Sequence, residues 1–177
     1  MVRFKQFLVE KKEYQALPGE SEVVHHSSFD NFDKFHPLSH FGTHKAARER
    51  HSTLKFGYPE DYDHLKPVTY TARLKLGHVV DLPDVDADHS LYGIAHQLHS
   101  AGHISEKQRD HLHNTLKGLG DKSHQFGHEL NKMGINTMRY ENEAEDPGSK
   151  SYIITHPDQV RILKKSVGAK ININRAN

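Results

Sequence analysis

The chain contains no cysteine, which excludes disulfides and thiolate chemistry and fits a reducing compartment. No apolar run approaches the roughly 20 residues a membrane helix needs, and no secretory signal is visible. A soluble protein without a membrane partner is therefore expected. Charge of one sign is lacking too: 24 Lys and Arg against 23 Asp and Glu leave a net +1 with histidines neutral. No global field draws such a chain to nucleic acid. Apolar residues are sparse, at 34% with a mean hydropathy of −0.80. They nevertheless recur in patterned runs, unlike a disordered low-complexity chain. At 177 residues one domain with a sizeable core is expected. What the chain has in abundance is histidine, 17 in all, whose charge changes below about pH 6.5.

The hydrophobic periods define the elements. Residues 1–20 form an amphipathic arm in which Val2, Phe4, Phe7 and Leu8 share a helical face, broken by Leu17-Pro18-Gly19-Glu20. Val23–Ser27 reads as a strand. It is followed by a loop with an aromatic at every third position, Phe29, Phe32 and Phe35. Residues 39–51 read as a strand end entering a helix, with Ala46 and Ala47 on its inner side. Residues 66–84 hold the clearest strand, because Val68, Tyr70, Ala72, Leu74 and Leu76 alternate with polar residues. Gly77 permits a bulge before Val79–Leu82 continues. A helical middle follows: Leu91, Ile94, Ala95 and Leu98 stopping at Gly102; a Ser105–Gln108 capping box; and Phe126, Leu130 and Met133 stopping at Gly134. Strands resume over 135–143, 151–155 and 159–165. Residues 166–177 read as a polar tail. Strands, helices, then strands argue for an α+β fold.

Several histidines invite a metal hypothesis. His96, His99 and His103 fall within about 60° of one helical face. His124 and His128 have the i, i+4 spacing of two ligands to one ion, yet no glutamate completes a zinc-protease motif. Helical histidines beside a core face are mostly plain polar residues, so no metal ligand is assigned. Asp84, Asp86 and Asp88 alternate without the glycine and glutamate of a calcium loop. They read as a solvated loop, with Asp88 capping the helix from His89. No nucleophile elbow, phosphate loop or dinucleotide fingerprint appears.

Three segments carry a resemblance. They are Val24-His25-His26-Ser27; His40-Phe41-Gly42-Thr43 with Ala46-Ala47; and Tyr140-Glu141-Asn142-Glu143, followed by Ser151-Tyr152-Ile153-Ile154 and Pro157-Asp158-Gln159-Val160. In this order they resemble the ADP-ribosyltransferase family, particularly compact phage and bacterial members related to the poly(ADP-ribose) polymerase group. The resemblance spans residues 22–163 and is most specific at its C-terminal motif. It implies two small packed antiparallel sheets forming an NAD groove over residues 21–165, with a central helical insertion. The arm resembles the capsid-targeting peptides of large tailed phages, which are cut after Leu-x-Glu; Leu8-Val9-Glu10 matches that pattern.

By position, the resemblance implies NAD as substrate. His25 takes the ribose of the adenosine half, His26 and Ser27 flank the nicotinamide carboxamide, and His40 stands where a stacking tyrosine is usual. Phe41, Gly42, Ser151 and Tyr152 belong to the same motifs. Breaking the nicotinamide–ribose bond develops oxocarbenium character, which a nearby carboxylate stabilises. Ser151 stands where the group carries its glutamate, so the carboxylate is sought upstream across the turn, at Glu143 or Glu145, and Glu143 is assigned. The expected protein is a phage mono-ADP-ribosyltransferase, packaged in the head through residues 1–10 and released into the host cytoplasm to modify a host protein. The rival is an inactive virion or host-binding protein of the same fold, which Ser151 and His40 favour. A histidine-rich metal-dependent protein ranks third.

Overall fold

The computed structural model describes residues 15–62, 64–83, 90–118 and 120–168. The targeting motif at 8–10, the aspartates at 84, 86 and 88 and the last nine residues lie outside these.

The described elements are β1 (Val24–Ser28), β2 (His40–Phe41), α1 (His44–Gly57), α2 (Pro59–Tyr62), β3 (Val68–Leu74), β4 (Val79–Asp81), α3 (Leu91–Ser100), α4 (Glu106–Thr115), α5 (Ser123–Lys132), β5 (Thr137–Asn142), β6 (Ser149–Ile154) and β7 (Val160–Val167). They make an α+β fold with two small sheets, ordered β1-β3-β7 and β2-β6-β5-β4. The first sheet is antiparallel throughout. The second corrects the expectation of two antiparallel sheets, because β4 runs parallel to β5. Parallel neighbours need a long crossover, and here helices α3–α5 supply it.

The alternation in β3 is realised residue by residue: Val68, Tyr70, Ala72 and Leu74 are buried, and the residues between them are half-buried. The chain does not continue as one strand past Gly77. Gly77 has φ +58°, a region that favours glycine, and there the chain leaves the first sheet for the second. The helical signals hold as well. Ser105 and Gln108 form the capping box, and Gly102 and Gly134 follow their helices with φ of +77° and +84°. The N-cap of α3 is Ser90, whose side chain accepts from the Gly93 amide.

Two cores result. One packs Ile94, Leu98, Leu112, Phe126 and Leu130 of the helices against Met138 and Ile153 of the second sheet. The other lies between the sheets, with Val24, Tyr70 and Leu74 facing Phe41, Tyr152 and Ile154. Each fully buried large apolar side chain contributes about 1.5–3 kcal/mol. Two of the three phenylalanines serve the second core: Phe35 is buried and Phe32 stacks on Tyr70 at 4.6 Å, while Phe29 turns away to stack on Tyr62 at 4.7 Å.

Both ends of the described chain are more integrated than their composition suggests. Glu20 forms a bridge with Lys75 and bonds Arg161 at 2.6 Å. At the other end Ser166 and Val167 still pair with Thr69 and Val68.

Candidate functional site

A bridge between His25 and Gly42 joins the two sheets. The His25 amide donates to the Gly42 carbonyl at 2.8 Å, and the Gly42 amide donates back to His25 at 2.9 Å. Beside this junction α1 covers β1. The junction borders a cavity of about 440 Å³.

Its polar end is bordered by His25, Ser27, His40, Tyr140, Asn142 and Ser151, with Glu145 at the same end. Strand alternation accounts for the last three strand residues. Tyr140 and Ser151 are paired across β5 and β6, and Asn142, two residues beyond Tyr140, points to the same face. Asn142 then organises the turn. Its Nδ2 donates to Glu145 Oε2 at 2.8 Å and to Ser151 Oγ at 3.1 Å, while its Oδ1 accepts from the Glu145 amide at 2.8 Å. Asp146 clamps this turn to the start of α1, accepting from Thr43 Oγ1 at 2.5 Å and Lys45 Nζ at 2.9 Å. Thr43 is also the N-cap of α1, accepting from the Ala46 amide at 3.1 Å. Glu145 is thus held in place by both its backbone and its carboxylate.

The histidines divide by environment. His25 stands 5.1 Å, edge to face, from His44. Burial, then the neighbouring His44 charge, lowers the His25 pKa and favours the neutral ring. His26 borders the cavity, but its ring is packed against Phe35 at 5.0 Å and Phe41 at 5.5 Å. Burial lowers its pKa, and its Nδ1 donates to the His40 carbonyl at 2.7 Å. His40 Nδ1 is hydrogen-bonded to the Tyr140 hydroxyl at 3.0 Å. Ser27 Oγ is buried and has no hydrogen-bond partner among the described residues.

The other end of the cavity is apolar, with Phe29, Leu54, Tyr62 and Leu65, and Arg50 of α1 also borders it. Leu38 closes a wall with φ +67°, its amide donating to Ile154 at 2.7 Å. A leucine in this region is strained, and such strain is common at ligand sites.

Of the residues expected from sequence, His25, His26, Ser27, His40, Phe41, Gly42 and Ser151 border one cavity. Tyr152 does not border it. It points between the sheets, only 8% exposed, and burial raises its phenol pKa. Glu143 borders a separate hollow with Asp81, Arg139 and Lys150, on the far side of β5. The carboxylate that the turn brings to the cavity is Glu145. Arg50, Leu54, Tyr62 and Leu65 escaped sequence reasoning, because only the packing of α1 and α2 over β1 carries them there. No cluster of three or more His, Asp or Glu side chains among the described residues is arranged to hold a metal ion. No family model, curated protein or solved structure matches the chain.

Proposed function

We propose that the protein is an NAD-dependent mono-ADP-ribosyltransferase acting on a host protein, with Glu145, rather than Glu143, as the carboxylate. The observation that carries this reading is the convergence of His25, His40, Ser151 and the immobilised Glu145 on one cavity at the junction of the two sheets. The Ser27 hydroxyl without a partner beside that cavity suits a ligand amide, since a buried polar group left unpaired is otherwise unfavourable. The apolar end accommodates a flat base, and Arg50 supplies positive charge for a phosphate.

In the proposed reaction the bond between the nicotinamide nitrogen and ribose C1′ breaks, and its electron pair leaves with nicotinamide. The ribose carbon becomes electron-poor. A carboxylate fixed before that charge develops stabilises the transition state without reorganising. The acceptor's lone pair then closes on C1′, and its proton passes to solvent or to a base. Asn142 holds the Glu145 carboxylate ready, and the neutral His25 ring hydrogen-bonds a ribose hydroxyl.

The test is incubation of pure protein with labelled NAD and bacterial lysate. A labelled protein band is expected from wild type and from Glu143→Gln, and not from Glu145→Gln or His25→Ala. Absence of both a labelled band and nicotinamide release would overturn the enzyme reading. It would favour the second one, a binding protein of the same fold, which rests on Ser151: this β6 position is 2% exposed and carries no carboxylate. Packaging in a phage head rests on Leu8-Val9-Glu10. It predicts virion-derived protein whose first residue is Lys11.

A further inference from the structure

His36 and His124 are 88 residues apart in the chain, yet His36 Nδ1 lies 3.4 Å from His124 Nε2. His36 belongs to the connection between β1 and β2, and His124 to the first turn of α5. Both are exposed. The rings meet nearly edge to face, at 79° with centroids 5.6 Å apart. A nitrogen–nitrogen separation of 3.4 Å is long for a direct hydrogen bond, which clusters nearer 3 Å. It matches two imidazoles sharing one tetrahedral ion. With metal–nitrogen bonds of about 2.0–2.1 Å and a tetrahedral angle, the two donors stand about 3.3–3.4 Å apart.

The surroundings suit a cation. Asp121 accepts from the Ser123 amide at 2.8 Å and from the Ser123 hydroxyl at 3.0 Å. These bonds hold its carboxyl below the usual range. The Asp121 carboxylate, three residues before His124 in the chain, adds negative charge in the neighbourhood of the pair.

We propose that His36 Nδ1 and His124 Nε2 chelate one divalent transition-metal ion of the zinc class, with water completing the coordination. Imidazole pairs select zinc, nickel and copper over magnesium or calcium, which prefer oxygen donors. Because protein supplies only two ligands, the site is open and exchangeable. Its effect is mechanical: the ion ties α5 to the β1–β2 connection, which two and three residues later provides Leu38 and Ser39 to the cavity wall. The proposal stands apart from the transferase reading and needs no turnover.

The experiment titrates Zn²⁺ alone into tag-free full-length protein by calorimetry, with magnesium as a control ion. Thermal unfolding is followed in parallel. The variants are His36→Gln, His124→Gln and, as a control in a histidine-rich chain, His99→Gln. Wild type and His99→Gln are expected to bind one equivalent and to gain Tm with zinc, reversed by chelator, because an ion bound only by the folded state stabilises it. Each of the other variants, folded by circular dichroism, is expected to bind at least about tenfold more weakly and to lose the Tm gain. Zinc binding unchanged in either variant, or no stoichiometric binding by wild type, would overturn the site.

Discussion

Asn142 Nδ2 lies 2.8 Å from Glu145 Oε2, so the carboxylate at the cavity is oriented by the last residue of β5. Because Asn142 also bonds Ser151, the three side chains form one unit across the β5–β6 turn. Glu145→Gln is expected to reduce ADP-ribosyl transfer by about 10²–10³-fold, the range for removing a preorganised electrostatic group. Its Tm should stay close to wild type. Glu143→Gln, on the other side of the strand, should leave transfer within about twofold, as for an ordinary surface substitution. Equal loss in both variants would remove the distinction between the two carboxylates.

Gly42 tests how tightly this unit is packed. A Cβ at residue 42 would lie 2.7 Å from Ser151 Oγ and 3.3 Å from Ala46 Cβ. Gly42→Ala is therefore expected to push Ser151 away from Asn142 and to destabilise the fold by about 1–3 kcal/mol, the usual range for overpacking. At this chain length that is a Tm drop of about 2–4 °C per kcal/mol. Ser151→Ala removes the clashing hydroxyl, so the double variant should be more stable than the sum of the single changes. A double-mutant cycle in chemical denaturation measures that coupling. Strict additivity would show that the two positions do not touch.

Acid stability is set in part at the other end of the molecule. Bidentate bonds from Arg161 to Glu20, at 2.7 and 2.6 Å, are the main reason the Glu20 carboxyl pKa falls from 4.5 to about 2. The lowered value means that the folded state binds this proton less readily than the unfolded chain. The stabilisation is fully present above about pH 4.5 and is lost as pH falls from there through 2. Glu20→Gln should therefore lower Tm at pH 6–7 and narrow its gap to wild type as the pH approaches 2. A gap independent of pH would show that the charge of Glu20 is not what matters.

How much of this was legible depends on the range of the interactions. The period-two run in β3, the Ser105–Gln108 capping box and the glycines after α3 and α5 are local, and each appears where its spacing placed it. The parallel pairing of β4 with β5 has no local signal, because it depends on helices between them folding back over the sheet. Strand alternation placed Ser151 at the cavity and so put Tyr152 in the core, a consequence the motif resemblance did not carry. The choice between Glu143 and Glu145 needed the turn: only the structure shows Asn142 drawing the second carboxylate in. The approach of His36 to His124 is a tertiary contact across 88 positions, beyond any spacing rule.

Lys55 is the residue whose burial the sequence hides most completely. It sits in the last turn of a polar helix, where a cation is ordinarily solvated, yet it is 1% exposed. Its Nζ has no hydrogen-bond partner among the described residues, and it lies over the Phe29 ring, 5.9 Å from the centroid. A buried donor left without a partner costs about 1–3 kcal/mol, more when charged, while a cation over a ring returns only about 0.5–2 kcal/mol. Methionine keeps the length and flexibility of the lysine stem and removes the donor. Lys55→Met is therefore expected to stabilise the fold by about 1–2 kcal/mol, which at this size raises Tm by about 2–4 °C per kcal/mol. Since Lys55 lies outside the cavity wall, NAD binding should be unchanged. Thermal unfolding at neutral pH decides the matter. A fall in Tm would mean that the ammonium has an anionic partner in solution, and a parallel loss of NAD affinity would place that partner on the nucleotide.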